Sequence, residues 1–355
     1  MTARPLPPAM TEAFLRQEKA CDHLGSPFTA QICRTIAQFG LPQSRLLEML
    51  RSWRGDPTAD GDAVPVRLCA ALHERVIGNC EPALSNIYPP AHEGLEDAVL
   101  HSEVLQAVER HDDWLCARMA FAPQTNEIRR STAVIAALSH IASKTGLPIT
   151  LSELGASAGL NLLLDRYAHR IDGKDLGDPG SPVQLKPQWS GNPAPKGPVS
   201  IAERRGCDLA PFDLSDPEHR TRLLSYVWAD QSDRFERLRA ALQLHDRFPV
   251  LVDKAHMLEW LPTRLADAPH GHAHVIFHTI AWQYLPEQER RAGRDLIDAA
   301  GARCTDQTPL FLLGLEGDGD KPGAALTLTS WPGRQTMLLA RVDFHGRWIN
   351  WKAAS

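Results

Sequence analysis

Two textures of hydrophobic patterning divide the chain. Up to residue 145, apolar positions recur at helical spacing. After Ser26-Pro27, a cap and first-turn pair, Phe28, Ile32, Ile36 and Phe39 fall on one helical face. Further helical segments are expected at 43–53, 62–77 and 95–119, the last carrying Leu95, Val99, Leu105, Val108 and Leu115. Clusters such as Gly55-Asp-Pro57 and Tyr88-Pro-Pro90 punctuate them. A final helix runs from Thr125 to Lys144, with Val134, Leu138 and Ile141 on one face and Gly146 past its end. No strand is expected before Ile149.

From there short apolar runs at 149–154, 199–204, 249–253, 274–281 and 309–315 alternate with helical patterns near 159–169, 216–245, 256–266 and 286–300. Alternation with connections of this length predicts a mostly parallel sheet with both faces covered. Ala325–Trp331 and Gln335–Phe344, joined by Trp331-Pro-Gly333-Arg, predict a closing antiparallel hairpin. The expected organisation is an all-helical N-terminal domain, 1–147, followed by an α/β domain, 148–355. Within the latter, 170–198 is a Pro- and Gly-rich insertion that reads equally as a functional lid or an irregular surface segment.

The junction at Ile149 carries the most chemistry. Leu151-Ser-Glu153-Leu-Gly155-Ala-Ser157-Ala-Gly159-Leu-Asn161 reads as a strand, a tight turn and a helix start. As acidic-x-Gly-x-x-x-Gly it is the nucleotide-binding turn of a Rossmann-like sheet, with free N–H groups at the helix N-terminus. As Gly-x-Ser-x-Gly it is a nucleophile elbow with Ser157 at its tip. In the second case Asp253 and His278 or His345 complete a triad in chain order, but no upstream strand supplies the oxyanion hole.

Other polar residues fall where open α/β sheets bind ligands, beyond strand ends. Asp208 follows Arg205-Gly-Cys, and Asp253 ends Pro249-Val-Leu-Val. Each also reads as a turn or helix cap. His278 ends His274-Val-Ile-Phe and is a candidate base, with Trp282 and Tyr284 beyond it. Gln124, Asn126, Glu127 and Arg130 crowd the start of the helix before Ile149, and together exceed what capping needs. Asn161 sits in the first turn after the glycines. Glu316-Gly-Asp318-Gly-Asp320 lacks the remaining ligands of a calcium loop and reads as a turn.

Composition narrows the partners. A formal net charge of −5 over 355 residues argues against a phosphate-backbone binder. No apolar run is long enough to span a membrane, and the Pro-rich N-terminus lacks a signal-peptide core. The seven cysteines form no Cys-x-x-Cys and read as reduced thiols, so a cytoplasmic protein without a metal is expected.

Several strings together resemble one bacterial family, domain of unknown function 2332. They are Leu24-Gly-Ser-Pro-Phe28, Asp62-Ala-Val-Pro65, Pro123-Gln-Thr-Asn-Glu127, Glu153 to Asn161, Asp165-Arg-Tyr167, Leu224-Ser-Tyr-Val-Trp228, Trp282-Gln-Tyr-Leu-Pro286 and Phe344-His-Gly-Arg-Trp348. The α/β half also resembles class I S-adenosylmethionine-dependent methyltransferases, including their Gly-x-Asp-x-x-Pro turn at Gly206–Pro211. That resemblance implies S-adenosylmethionine as cofactor and a methyltransferase-like function on a small molecule. Gly155, Ser157 and Gly159 would face its methionine part, with Glu153 ordering the turn. Asp208 would take the ribose and Asp253 the adenine side. His278 and Glu127 would be the catalytic candidates, and Gln124, Asn126, Arg130, Asn161, Trp282 and Tyr284 would line the acceptor site. A serine hydrolase using Ser157 and a non-catalytic ligand-binding protein of the same fold are the alternatives.

Overall fold

The computed structural model describes residues 3–266 and 270–354. The chain falls into two compact units. One contains the residues up to Thr125 together with Asp213–Leu238; the other contains Asn126–Phe212 and the chain from Arg239 onward. Residues 126–147, grouped by sequence with the N-terminal helices, thus belong to the unit of the sheet, and 213–238 to the unit of the helices.

The first unit contains helices α1 (Pro8–His23), α2 (Pro27–Phe39), α3 (Arg45–Arg51), α4 (Val64–Ile77), α5 (Pro82–Ser85) and α6 (Asp97–Arg118); of the apolar positions expected to face the core, Phe39 and Val99 are exposed. Phe28, Ile32 and Ile36 join Phe14, Leu47, Leu68, Leu100 and Val104 in one core. The cap of α2 differs from expectation. Asp230 accepts from the Phe28 N–H at 2.8 Å and bonds the Ser26 hydroxyl, so a carboxylate 202 residues away supplies the acceptor. The unit is not all-helical either. Strands β1 (Ala3–Arg4) and β2 (Leu41–Pro42) pair antiparallel. The approach needs Gly40, where a Cβ would lie 1.9 Å from the Arg4 carbonyl oxygen.

The second unit opens with α7 (Ser131–Thr145), which leads into β3 (Ile149–Leu154). β4 (Ala168–Ile171) leads into the 170–198 segment, which contains the short strands β5 (Lys174–Gly177), β6 (Gln184–Leu185) and β7 (Gln188–Gly191). After β8 (Ile201–Asp208) the chain passes through α8 (Pro217–Ser225) and α9 (Ser232–Arg247) to β9 (Val252–Lys254). There follow α10 (Met257–Arg264), β10 (Ala273–Thr279), α11 (Glu287–Gly301) and β11 (Leu310–Glu316). Strands β12 (Ala324–Trp331), β13 (Gln335–Val342) and β14 (Trp348–Trp351) close the chain.

Nine strands form the main sheet in the order β7-β14-β13-β12-β11-β10-β3-β8-β9. From β11 to β9 all neighbours are parallel. The β12–β13 hairpin is antiparallel, as expected, and the sheet continues through β14 to β7. Both β3 and β10 are buried along their whole length, including the polar residues Ser152, Glu153, His274 and His278 that lie among their apolar ones. On one face α7 packs Val134, Leu138 and Ile141 against Leu151, Val275 and Phe277. On the other, Trp260 and Leu261 of α10 and Ile297 of α11 cover Leu154 and Ile276. Each of these fully buried apolar side chains contributes about 1.5–3 kcal/mol.

The direction of travel matters most for ligands. From β3 the chain moves outward through β8 to β9, then returns to β10 on the other side of β3. The C-terminal ends of β3 and β10 therefore flank a topological switch point, where open parallel sheets leave a crevice.

Candidate functional site at the switch point

The turn after β3 is held by its neighbour β8. The N–H groups of Gly155 and Ala156 both donate to the Cys207 carbonyl, at 2.9 and 3.0 Å. Ser157 N–H donates to Asp208 Oδ2 at 2.8 Å, and Asp208 Oδ1 accepts from Ala210 N–H at 2.9 Å. Gly155, Ser157 and Gly159 all have left-handed φ, at 70°, 54° and 71°. At Gly155 the space is also needed, since a Cβ would stand 2.7 Å from the Ala281 Cβ in the loop after β10.

Beyond the turn the chain departs from the helix that its apolar pattern predicts. Leu160–Arg166 is a seven-residue 3₁₀ helix with a break at Leu163, not a full α-helix. Its carbonyls are taken from outside: Leu160 accepts from Tyr167 Oη, Leu162 from Arg204 Nη1 and Leu164 from His169 Nε2, at 2.5, 2.7 and 2.7 Å. Those bonds replace the i→i+4 ladder that would have continued the helix. Four of the turn's N–H groups, those of Gly155, Ala156, Ser157 and Gly159, are already donated within the chain.

Acceptors, by contrast, are in surplus. Glu153, 2% exposed, has its carboxyl pushed well above the usual range, foremost by burial; the Asn161 amide bond and the Arg130 charge oppose this, and Asp208 adds to it. Asn126 Nδ2 donates to the Ala156 carbonyl at 3.2 Å, which brings the start of the Asn126–Arg130 segment to the glycine turn. Three buried oxygens find no hydrogen-bond partner among the described residues: Glu153 Oε2, Asn126 Oδ1 and Asn161 Oδ1.

Across the switch point, Arg130 is buried and donates to the carbonyls of Phe344 and Thr279, at 2.8 and 3.3 Å. Glu127, also buried, accepts from the Arg129 N–H and faces His345 Nδ1 at 3.7 Å. His278 Nδ1 lies 2.7 Å from Glu316 Oε1. The same carboxylate accepts from the N–H groups of Ala281 and Trp282, both at 2.9 Å. Immediately before them, Ile280 takes a φ of 54°, a strained conformation for a β-branched residue.

Other candidates have different surroundings. Asp253 lies on the same edge as Asp208, but its carboxylate is paired with Arg205 at 2.7 and 2.8 Å and accepts from Trp260 Nε1 at 2.7 Å. The Arg205 bonds hold its pKa below the usual range against burial. Trp282 belongs to the core under α10 and α11, whereas Tyr284 is 76% exposed. Gln124 belongs to the first unit. Asp318 and Asp320 make a turn around Arg341, whose Nη1 bonds Asp318 Oδ2 at 2.6 Å. All seven cysteines are free thiols. No helix among the described residues is long and apolar enough to cross a membrane.

Sequence reasoning missed Glu316 and the Asp343–Arg347 turn that carries the Phe344 carbonyl. The only available signal was an acidic residue ending an apolar run, the same signal that found Asp208 and Asp253.

Residues 11–351 match the model of a family described as an uncharacterized protein conserved in bacteria (DUF2332), and the chain belongs to it. No curated protein matches the sequence.

Proposed function

We propose that the switch-point crevice is the site of a small-molecule cofactor, and that the chain is an S-adenosylmethionine-dependent methyltransferase on a Rossmann-like sheet. The observation that carries this reading is the imbalance at the glycine turn. Four of its N–H groups, those of Gly155, Ala156, Ser157 and Gly159, are already donated, while three buried acceptors, on Glu153, Asn126 and Asn161, have no donor among the described residues. A dinucleotide pyrophosphate needs the opposite arrangement, a cradle of free N–H groups. An amino-acid ammonium group is a three-donor cation and meets the acceptors present. The elevated pKa of Glu153 accords with a carboxylate lacking its counter-charge.

Glu153, Asn126 and Asn161 would hold the ammonium end. Asp208, with a second lone pair on each oxygen, would take the ribose hydroxyls while still clamping Ser157. Asp253, tied to Arg205, is left out of this assignment. The cofactor supplies an electrophilic methyl group on a sulfonium. The residues of the chain bind and align it, since in-line transfer gains most from positioning.

One observation favours the hydrolase alternative, the left-handed φ of Ser157. Against it, Asp253 is paired with Arg205 and Trp260, so the expected acid of the triad is committed elsewhere. A fluorophosphonate probe should leave Ser157 unlabelled.

Titration calorimetry tests the cofactor. S-adenosylmethionine and S-adenosylhomocysteine should bind and NAD should not. Glu153→Gln, which places an NH₂ donor among the acceptors, should weaken S-adenosylhomocysteine binding at least tenfold, the scale of one hydrogen bond to a charged group. Binding of NAD alone, or full affinity in Glu153→Gln, would overturn the reading.

A further inference from the structure

The imidazole of His278 is built into place from three sides. Glu316 Oε1 stands 2.7 Å from its Nδ1. The Trp282 ring stacks on it, with centroids 5.1 Å apart and planes at 21°. Beneath it lies Gly314, its register partner on β11, where a Cβ would come within 2.9 Å of Cε1 and 3.1 Å of Nε2. Any other residue at 314 would push the ring out of position.

Glu316 favours its ionised form. Burial works to raise its pKa, but the bond and charge of His278, with the Ala281 and Trp282 N–H groups, bring it below the usual range. An ionised carboxylate only accepts hydrogen bonds, so the shared proton belongs to Nδ1. In its neutral form the ring, with its proton on Nδ1, presents Nε2 as a lone-pair acceptor. Among the described residues no partner of Nε2 is found, and the side chain sits at the C-terminal end of β10, on the rim of the switch point.

We propose that Glu316 is the positioning residue of a His278 general base, with Gly314 as the space the ring requires. The acceptor is then a molecule whose attacking atom carries a proton, a hydroxyl group being the class that most needs a base. This deepens the methyltransferase reading and rests on it for the reaction. The acceptor oxygen forms a bond to the methyl carbon as the carbon–sulfur bond breaks, that electron pair remaining on sulfur. The hydroxyl proton passes to Nε2 and then to water. General-base assistance of this kind is worth about 10²–10⁴-fold in rate.

The test reads the ring itself, independently of turnover. In ¹⁵N-labelled protein at alkaline pH, the ring-nitrogen shifts of His278 should report the proton on Nδ1. Diethyl pyrocarbonate should acylate Nε2 in the native protein, and His278→Gln should remove that label. Glu316→Ala should populate both tautomers. Glu316→Gln, whose amide oxygen can still accept from Nδ1, should restore one; a mere loop clamp would leave the tautomer unmoved in both. A wild-type ring protonated on Nε2, or an Nε2 that resists acylation, overturns the proposal even if the Glu316 variants fail to fold. Calorimetry with S-adenosylhomocysteine runs alongside: His278→Gln should bind it with unchanged affinity. Absence of binding in the wild type would overturn the cofactor reading, while a ring protonated on Nδ1 and acylated on Nε2 would still support the dyad.

Discussion

The contact between the two loops at the switch point can be measured with two substitutions. Gly155→Ala adds one carbon at a backbone φ of 70°, and that carbon meets a single atom within 4 Å, the Cβ of Ala281 at 2.7 Å. The left-handed backbone costs an alanine about 1–2 kcal/mol, and overpacking by one methyl adds about 1–3 kcal/mol. Gly155→Ala alone should therefore lose about 2–5 kcal/mol. Ala281→Gly alone should lose about 0.5–1 kcal/mol through backbone entropy. In the double variant the obstructing carbon is gone and only the backbone terms remain, so its loss should fall short of the sum by about 1–3 kcal/mol. Urea unfolding followed by tryptophan fluorescence reads all four proteins. Additivity within about 0.5 kcal/mol, the scatter expected of independent sites, would refute the contact and with it the packing of the β3 turn against the β10 loop.

Acid should destabilise the protein in a defined window. Burial pushes His73 and His169 down to about 4 and His274 down to about 3, against about 6.5 in an unfolded chain. Between those values the unfolded chain binds protons that the native one refuses. Stability is therefore complete above pH 6.5 and falls as pH drops toward 4, by about 3 kcal/mol for each ring. Glu153, raised in the fold, acts in the opposite sense, so Glu153→Gln should steepen the loss; urea midpoints that stay flat from pH 7 to 4.5 would refute this. Separately, Asp230→Ala should cost about 1–2 kcal/mol by uncapping α2, and an unchanged melting temperature would show that the Phe28 N–H finds another acceptor.

The elements that sequence patterning reads well are those whose burial is complete or strictly one-sided. Ile149–Leu154 is buried on both faces and carries Ile149, Leu151 and Leu154 just before the glycine turn; the β12–β13 hairpin announces itself through Pro332 and Gly333. What patterning misreads depends on side-chain partners outside the element itself. Leu160–Leu164 has the apolar content of a buried helix, and only Tyr167, Arg204 and His169 decide that its carbonyls bond outward. Glu316 heads a string that looks like an ordinary turn, and its two acceptor oxygens serve a loop more than thirty residues upstream. The cap of α2 is illegible for the same reason, since Ser26 looks sufficient by itself.

The two loops at the switch point share one construction. The turn after β3 holds Ser157 at a φ of 54°, and the loop after β10 holds Ile280 at the same value. Left-handed φ at non-glycine residues costs about 1–3 kcal/mol each and persists only where surrounding bonds over-determine it. In both places the restraint comes from the next strand outward. Asp208, last residue of β8, accepts from the Ser157 N–H; Glu316, last residue of β11, accepts from Ala281 and Trp282 just beyond Ile280. Backbone bonds repeat the pattern, with Gly155 N–H on the Cys207 carbonyl and Ile280 N–H on the Leu315 carbonyl. Each inner loop is thus fixed by a carboxylate and a carbonyl from its outer neighbour. A sheet that needed only to fold could close these connections with unstrained turns. Two carboxylates hold two strained loops against each other and fix the backbone at the switch point, which is the condition that the proposed transfer reaction would need, because its rate would come from positioning.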